Sequence, residues 1–221
     1  KSKFNREHIE PFMIKSKRIS TFHYSETKIN NNKLRLSIDY ENDYDYVAGI
    51  TNYLFKKNGI NFSTKDILTL VEKPRILIFA NGRLGLEGLH FFLKRKFNIV
   101  GIVTHPMSSA TNLDQIIKIS KLKKDRIINY EELKKKKNWL FKIDPTICFS
   151  FWSSFIIPKE IITKIPLGIY NLHNSLLPSY RGSGANIWPI IDEQQFSGVS
   201  LHRVTEKVDS GPIIAQKKIK I

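Results

Sequence analysis

Short apolar runs alternate with amphipathic segments from residue 75 onward. Four of these runs predict buried strands: RILIFA (75–80), NIVGIV (98–103), TICFSF (146–151) and GIYNLHN (168–174). The segments between them predict helices at 84–96, 112–120, 131–141 and 158–164, and one further short strand at 127–130. Strands that alternate with helices form a mostly parallel sheet with helices on both faces. The pattern therefore predicts a Rossmann-like α/β domain over residues 75–221.

Residues 1–74 have a different pattern. The segment 34–38 predicts one strand, and 43–57 predicts a helix. A capped helix start at Ser63 predicts a second helix, which ends at Pro74. Two helices and one strand are too little to bury a core of their own. We therefore expect residues 1–74 to form a small α/β appendage that precedes the larger domain.

Composition narrows the class of protein. The chain has 221 residues, of which 41% are hydrophobic, so it can bury a core. Its apolar runs stay well short of the roughly 20 residues that a membrane-spanning helix needs, and the first residues lack the apolar core of a signal peptide. The single Cys148 lies in an apolar run, which excludes a cysteine zinc site and favours a reducing cytoplasm. Because the chain begins at Lys1 and not at Met, the possibility that it is a fragment of a longer protein stays open.

The chain is strongly basic, with a formal net charge of +16. Basic chains often bind nucleic acid or another anionic partner. The lysine clusters at 121–124 and 134–137 lack the interleaved aromatic residues of a surface that binds single strands. A solvated lysine-rich face is the favoured interpretation, and an anionic partner is the alternative.

The first predicted strand runs into the turn NGRLG at 81–85, with Gly88 beyond it. Glycines at this spacing do not make the G-x-G-x-x-G pattern of dinucleotide-binding domains, and no acidic residue follows the second strand to hold a ribose. The sequence therefore excludes NAD as a cofactor. The helix start, with Asn81 and Arg83, can still bind a phosphate or carboxylate of a substrate, while a plain strand-to-helix turn is the alternative.

The most informative stretch is NLHNSLLPSYRG at 171–182, which is followed by DSGPI from Asp209 onward. Asn171 and His173 are two residues apart on a strand, so both side chains point to the same face. They lie at the carboxyl end of that strand, where sheets of this kind bind ligands. An amide and an imidazole at this place can supply a hydrogen-bond donor and a proton acceptor together.

Three further polar residues lie near these motifs. Arg181 belongs to a polar loop that can close over the site or contact a phosphate of the substrate. His202 lies in the alternating strand VSLHR, where a structural hydrogen bond is the favoured role. His105, just before Pro106, is expected to be a loop residue.

These motifs, with the strand GVSLHRVT at 198–205 and DSGPIIAQ at 209–216, resemble the signature of the formyltransferases that use N10-formyltetrahydrofolate. The resemblance covers residues 75–221 and rests on several separated motifs in the family's order. It implies the formyltransferase fold, N10-formyltetrahydrofolate as co-substrate and no metal. The catalytic residues that it implies are Asn171, His173 and Asp209. It also implies that the folate site is lined by the loop of Ser175, Leu176, Leu177 and Pro178, helped by the backbone around Phe149, Phe151 and Trp152.

The chemistry of formyl transfer needs these residue types together. When an uncharged amine attacks the formyl carbon, an oxygen becomes negative and a nitrogen becomes positive. Asn171 can donate a hydrogen bond to that oxygen. Asp209 can orient the imidazole of His173 or relay the proton that leaves the amine. The sequence leaves open which of the two is the base.

The first part of the chain carries a second resemblance. The segments REHIEPFM (6–13), LRLSIDYENDYDYV (34–47) and FSTKDILTLV (62–71) resemble the C-terminal end of cytidylyltransferases that activate sugars for surface polysaccharides. The nucleotide-binding segment of that family is missing, so we expect no nucleotidyl transfer. Asp39 matches a residue that can bind metal in that family, and we expect it to be a strand-end or turn residue.

The sequence thus predicts an enzyme that transfers a formyl group to the amine of a nucleotide-linked amino sugar. The NGRLG turn resembles sugar-modifying members of the family, and the first part of the chain points to activated surface sugars. Methionyl-tRNA formyltransferase is one alternative, disfavoured because the chain ends at Ile221 without the usual tRNA-binding domain. A non-catalytic binding module of a fused sugar-biosynthesis protein is another. The sequence does not determine the sugar or its nucleotide. It also leaves the oligomeric state open, and a homo-oligomer is one alternative.

Overall fold

A computed structural model of the chain describes residue 38 and the ranges 41–136, 138–151 and 154–221. The described residues belong to one compact unit, which includes the two helices before the first strand of the sheet. The strand predicted at 34–38 falls outside the described residues except for Ile38. Asp39 and Trp152 also fall outside them.

One mixed sheet of seven strands organises the described residues. Its strands are β1 Ile76–Ala80, β2 Ile99–Thr104, β3 Ile127–Asn129, β4 Ile147–Phe151, β5 Ile169–His173, β6 Phe196–Arg203 and β7 Ile213–Lys220. Their order in the sheet is β3-β2-β1-β4-β5-β6-β7. Strands β1 to β5 are parallel, and β6 and β7 add to β5 in antiparallel fashion. The mostly parallel sheet predicted from the sequence is thereby confirmed.

Helices connect the strands. They are α1 Glu41–Asn58, α2 Thr64–Glu72, α3 Gly82–Lys94, α4 Leu113–Ser120, α5 Tyr130–Lys135, α6 Trp139–Ile143, α7 Lys159–Ile162 and α8 Trp188–Ile191, with 3₁₀ turns at Gly59–Asn61 and Lys124–Arg126. In the described ranges, none of these helices is long and apolar enough to cross a lipid bilayer.

The single helix predicted at 131–141 is interrupted in the structure. It is replaced by the short helices α5 and α6, which are separated at Lys136, where the backbone leaves the helical conformation. Trp139 begins α6, is buried, and donates a hydrogen bond from Nε1 to the backbone oxygen of Asp125 at 2.8 Å. Burial of this large ring requires the chain to turn, which helical periodicity alone does not predict.

The core has two layers, one on each face of the sheet. On one face, α5, α6 and α7 pack on β1, β4 and β5 through a cluster that includes Leu77, Trp139 and Ile161. On the other face, α3 and α4 pack on the sheet through residues such as Leu89 and Ile116. The apolar strands are therefore covered on both sides, as expected for a parallel sheet.

Helices α1 and α2 pack against the domain that contains the sheet. Ile50, Leu54 and Leu70 form a buried cluster with Leu167, which precedes β5, and Ile147 packs against them. The capping box predicted at the start of α2 is present, since the side chains and backbone of Ser63 and Asp66 bond each other reciprocally. The division of the chain at residue 74 stays a prediction.

The order of the strands determines where a ligand can bind. The chain goes from β1 outward to β3 and then returns to β4 on the other side of β1. At such a reversal the connections leave in opposite directions, and a crevice opens at the carboxyl ends of the strands. Asn81, Phe151 and His173 end or follow β1, β4 and β5, so their backbone lies at this edge of the sheet.

Candidate active site

A cleft of about 690 Å³ opens at the carboxyl edge of the sheet. Its floor is formed by residues of β4, β5 and β6, and its walls are formed by the loops that follow these strands. The polar residues of the cleft include Ser150, Asn171, His173, His202 and Asp209. Apolar side chains such as Ile157 and Ile187 line its walls.

The pairing of β5 with β6 sets the positions of the polar side chains on the floor. Asn171 is opposite His202, and His173 is opposite Ser200. His173 is 7% exposed, and His202 is 1% exposed. Because side chains alternate along a strand, Asn171 and His173 share one face of the sheet with His202.

Asp209 reaches this face from the loop between β6 and β7. Its own backbone has a φ of 45°, a left-handed conformation that aspartate tolerates better than most residues. Gly211, two residues later, lies so close to the backbone oxygen of Arg203 that a Cβ would clash with it. The backbone N–H of Gly182 donates to Asp209 Oδ2 at 2.9 Å. A tight turn and a backbone hydrogen bond thus hold the carboxylate over the strands.

The carboxylate of Asp209 lies between two histidines. Its Oδ2 is 3.4 Å from Nδ1 of His173, and its Oδ1 is 3.3 Å from Nε2 of His202. Burial raises the pKa of Asp209, but hydrogen bonds from His202 and Gly182 and the proximity of His173 outweigh it. The pKa of Asp209 is therefore lowered, and the carboxylate is ionised at neutral pH.

Each histidine has its other ring nitrogen bonded to a backbone oxygen. Nε2 of His173 donates to the oxygen of Tyr180 at 2.8 Å, and Nδ1 of His202 donates to the oxygen of Arg203 at 3.0 Å. In the neutral ring of His173, the nitrogen that faces Asp209 then has no proton. A proton taken up at Nδ1 would be bonded at once by the carboxylate.

His202 takes a larger part in this cluster than the sequence indicates. Its Nδ1 makes the structural hydrogen bond that its place in β6 predicts. Its Nε2 also lies 3.3 Å from Nδ2 of Asn171, which links it to a second predicted site residue. The amide of Asn171 has two hydrogens, so at least one is available to a substrate whether or not the other is donated to Nε2 of His202.

A network of hydrogen bonds supports the loop that carries Tyr180. Ser175, which is fully buried, donates from Oγ to the backbone oxygen of Ser179 at 2.8 Å. Ser200 donates to the backbone oxygen of Ser175 at 2.6 Å. From the edge strand β7, Gln216 Nε2 donates at 2.8 Å both to Ser200 Oγ and to the backbone oxygen of Leu177. The network connects β7 to the loop that orients the ring of His173.

The rings of Phe149 and Phe151, whose backbone is predicted to help line the folate site, pack away from the cleft. Phe149 packs against Phe92 of α3, with ring centroids 4.8 Å apart, and Phe151 is buried in the same cluster. Alternation along β4 instead gives the cleft Ser150, which lies between them. The place of Trp152 falls outside the described residues.

The residues predicted in the loop after β5 differ in how far they are buried. Ser175 and Leu177 are buried in the loop, Leu176 is half-buried, and Pro178 is exposed. None of these four is among the described residues that line the cleft. Arg181 is exposed beside the lining residue Gly182, so it can swing toward a ligand.

The two residues predicted at the NGRLG turn have different surroundings. Arg83 is exposed on α3. Asn81 is buried, and its Oδ1 accepts a hydrogen bond from the backbone N–H of Thr111 at 2.9 Å. Its Nδ2 lies 3.3 Å from Nδ1 of the buried His105. Asn81 thus fastens the loop after β2 to the end of β1.

Sequence patterns did not indicate several residues of the cleft. Ser150 is hidden in an apolar run, although its pairing opposite Asn171 would follow from a correct alignment of β4 with β5. The loops at 154–157 and 183–187 have no polar motif, and their place in the cleft follows only from tertiary structure. The exposed segment 205–208 lines the cleft because it leads to Asp209.

Comparisons with known proteins show the family of the chain. The family model described as formyl transferase matches residues 110–221, which are half of the chain. The chain belongs to the formyltransferase family. The bifunctional polymyxin resistance protein ArnA of Wigglesworthia glossinidia brevipalpis is 36% identical over 153 residues, which are 66% of this chain and 23% of that protein. The match therefore spans less than a quarter of the length of that relative.

Solved structures share the fold. A formyltetrahydrofolate deformylase from Pseudomonas syringae pv. tomato matches with a TM-score of 0.58 and 15% identity, over 80% of this chain and 75% of that chain. A Mycobacterium tuberculosis protein proposed to be a sugar N-formyltransferase matches with a TM-score of 0.50 and 21% identity, over 67% of this chain and 55% of that one. At these identities the similarity shows a common fold and leaves the substrate undecided.

Proposed function

We propose that the chain transfers a formyl group from N10-formyltetrahydrofolate to the amine of a nucleotide-linked amino sugar. The observation that carries this proposal is the cluster of Asn171, His173 and Asp209 in one cleft, with Asp209 3.4 Å from His173. These are the residue types that formyl transfer to an amine requires, at the ligand-binding edge of the sheet. Asp209 contacts His173 directly, and His202 links it to Asn171.

The cleft suits a folate donor in size and composition. A volume of about 690 Å³ lies within the range of about 300–1,000 Å³ typical of small-molecule sites. Apolar side chains from Phe155 to Ile157 line one side, and the polar cluster lies at the floor. Such a donor supplies an electrophilic formyl carbon when it is bound.

The residues of the cluster then divide the chemistry. Asn171 donates its free amide hydrogen to the oxygen that becomes negative, a contact worth about 3 kcal/mol in other acyl-transfer sites. Asp209 Oδ2 relays the proton of the amine to Nδ1 of His173, the nitrogen that faces it and has no proton while Nε2 donates to Tyr180. Asp209 stabilises the resulting imidazolium through Oδ2.

This division assigns the base to His173 and not to Asp209. Asp209 is a weak base because its pKa is lowered by the N–H of Gly182 and by the two histidines, which outweigh the effect of its burial. A carboxylate that stays ionised is better suited to orient and stabilise the histidine than to hold the proton itself.

Two observations support a sugar acceptor. One structural neighbour is a protein proposed to be a sugar N-formyltransferase. The NGRLG turn and the first 74 residues resemble proteins that modify or activate sugars. Arg181, exposed beside the cleft residue Gly182, can contact a phosphate of a nucleotide-linked acceptor.

The test is to incubate the protein with N10-formyltetrahydrofolate and a panel of nucleotide-linked amino sugars, and to detect the formylated product by mass. We expect one acceptor to be formylated, and folate analogues to raise the melting temperature equally with and without a chelator. His173→Ala is the matched inactive control.

Other outcomes favour other functions. Formylation of methionyl-tRNA with steep salt dependence, in place of any sugar, would show that the acceptor is a nucleic acid. Folate binding without turnover on any acceptor would favour a binding module. An absolute requirement for a divalent metal would contradict the proposed chemistry.

A further inference from the structure

A second cavity, of about 440 Å³, lies at the amino edge of the sheet. Helix α1 forms one wall, and the segments that precede β4 and β5 form the other. Its lining includes Asn52, Lys56, Phe141, Asp144 and Lys164.

This cavity is separate from the candidate active site. Asp144 and the segment 163–166 come before β4 and β5, whereas His173 ends β5. Since β4 and β5 are parallel, their amino and carboxyl ends lie at opposite edges of the sheet. At Gly49, α1 approaches the backbone oxygen of Pro166 so closely that a Cβ would clash with it. The helix therefore lies directly against this edge.

The cavity has an excess of positive charge. Its carboxylate, Asp144, is already engaged: it accepts hydrogen bonds from Lys57 Nζ at 2.9 Å and from the hydroxyl of Tyr53 at 2.9 and 3.0 Å. Within the described part of the chain, no carboxylate lies within salt-bridge distance of Lys56 or Lys164. Two ammonium groups are thus free to bind an anion.

Both free ammonium groups converge on one aromatic ring. Nζ of Lys56 and Nζ of Lys164 each lie 4.9 Å from the ring centroid of Phe141. Cation–π attraction holds them there in place of a counter-ion. Phe141 is 54% exposed, although Leu140 and Ile165 beside it are buried. The cavity therefore offers a flat apolar surface next to paired positive charges.

We propose that this cavity binds a nucleoside phosphate. The ammonium groups of Lys56 and Lys164 pair with the phosphate oxygens. The ring of Phe141, from which the lysines then withdraw, stacks against the base, and the exposed amide of Asn52 is placed to bond its polar edge. The proposal is independent of formyl transfer, since the cavity lies at the other edge of the sheet.

The test measures binding of ADP, adenosine and pyrophosphate to the whole chain by calorimetry, without a formyl donor or acceptor. We expect ADP to bind more tightly than either of its parts. The double variant Lys56→Gln/Lys164→Gln should weaken ADP binding by about 10-fold or more, because two charge-assisted contacts are lost. Lys65→Gln, which removes an exposed charge from α2, should have no effect. Each single variant should give an intermediate loss.

Phe141→Ala separates the stacking surface from the charges. It should weaken ADP binding by about 5-fold while it leaves pyrophosphate binding unchanged, since only ADP has a base to stack. Absence of ADP binding at about 1 mM would overturn the proposal. So would ADP binding that the double lysine variant leaves at its original strength, because the nucleotide would then bind elsewhere, the formyl-transfer cleft included.

Discussion

The two edges of the sheet carry polar residues in opposite arrangements. At the carboxyl edge, the side chain of Asp209 is 13% exposed and lies between the buried rings of His173 and His202. At the amino edge, Lys56 and Lys164 are exposed, and the Nζ of each lies 4.9 Å from the ring centroid of Phe141. The carboxyl edge has a carboxylate held between two histidines, whereas the amino edge has two exposed ammonium groups beside the bonded trio of Asp144, Lys57 and Tyr53.

The difference indicates what each edge can do. Catalysis requires donors and acceptors that are held in place before the substrate arrives, because their orientation then costs nothing during the reaction. Binding of a charged ligand requires only attraction and a surface that fits. A mutation at the carboxyl edge should therefore change turnover, and one at the amino edge should change binding or stability.

The largest effect is expected from Asn171→Ala and His173→Ala. Each should lower turnover by about 100-fold or more, because the oxyanion donor or the base is lost. Circular dichroism should show an unchanged fold. Wild-type turnover in either variant, measured on the true acceptor, would remove that residue from the mechanism.

Asp209→Asn should lower turnover by about 100-fold, since an amide cannot stabilise the imidazolium of His173 as a carboxylate does. The shape of the side chain is preserved, so the loop should keep its place. If the variant melts at a lower temperature but turns over normally, Asp209 only forms the turn. Kinetics and thermal melting of the same sample distinguish the two results.

Gln216→Leu should lower turnover by about 10-fold through the position of His173. The substitution removes both hydrogen bonds from Gln216, to Leu177 and to Ser200, without touching the cleft. Lys217→Gln, one residue along the same exposed strand, is the control and should be neutral. Equal turnover in the two variants would show that β7 does not support the site.

Asp144→Ala should reduce the free energy of unfolding by about 1–2 kcal/mol and leave turnover unchanged. It removes the acceptor of Tyr53 and Lys57 and places alanine at a φ of 46°, a conformation that aspartate tolerates better. Urea denaturation measures the loss. A fall in turnover per folded molecule would show that the two edges of the sheet are coupled.

The smallest effect concerns acid stability. Because the pKa of Asp209 is lowered in the folded protein, the stability that its carboxylate contributes is present above the ordinary value of 3.8 and is lost as the pH falls through the lowered pKa. The difference in melting temperature between the wild type and Asp209→Asn should therefore be greatest near neutral pH and shrink below about pH 4. A difference that does not change with pH would contradict this.

The sequence predicted the sheet well because strands and helices leave periodic patterns that depend on neighbouring residues alone. The apolar runs at 75–80, 98–103, 146–151 and 168–174 correspond to β1, β2, β4 and β5. The break between α5 and α6 was not predicted, since it depends on the burial of Trp139 against a distant backbone. Local pattern and distant packing thus account for the success and the failure respectively.

The candidate site divides in the same way. The spacing of Asn171 and His173 on one strand places both side chains on one face without any knowledge of the fold. Only the tertiary structure decided that Asp209 lies within 3.4 Å of both histidines and that His202 joins Asn171. The contacts of Asp209 with His173 and of His202 with Asn171 join residues more than 30 positions apart. They form because β6 pairs antiparallel to β5 and the next loop folds back over both. No local pattern contains that information, because it depends on which strands become neighbours.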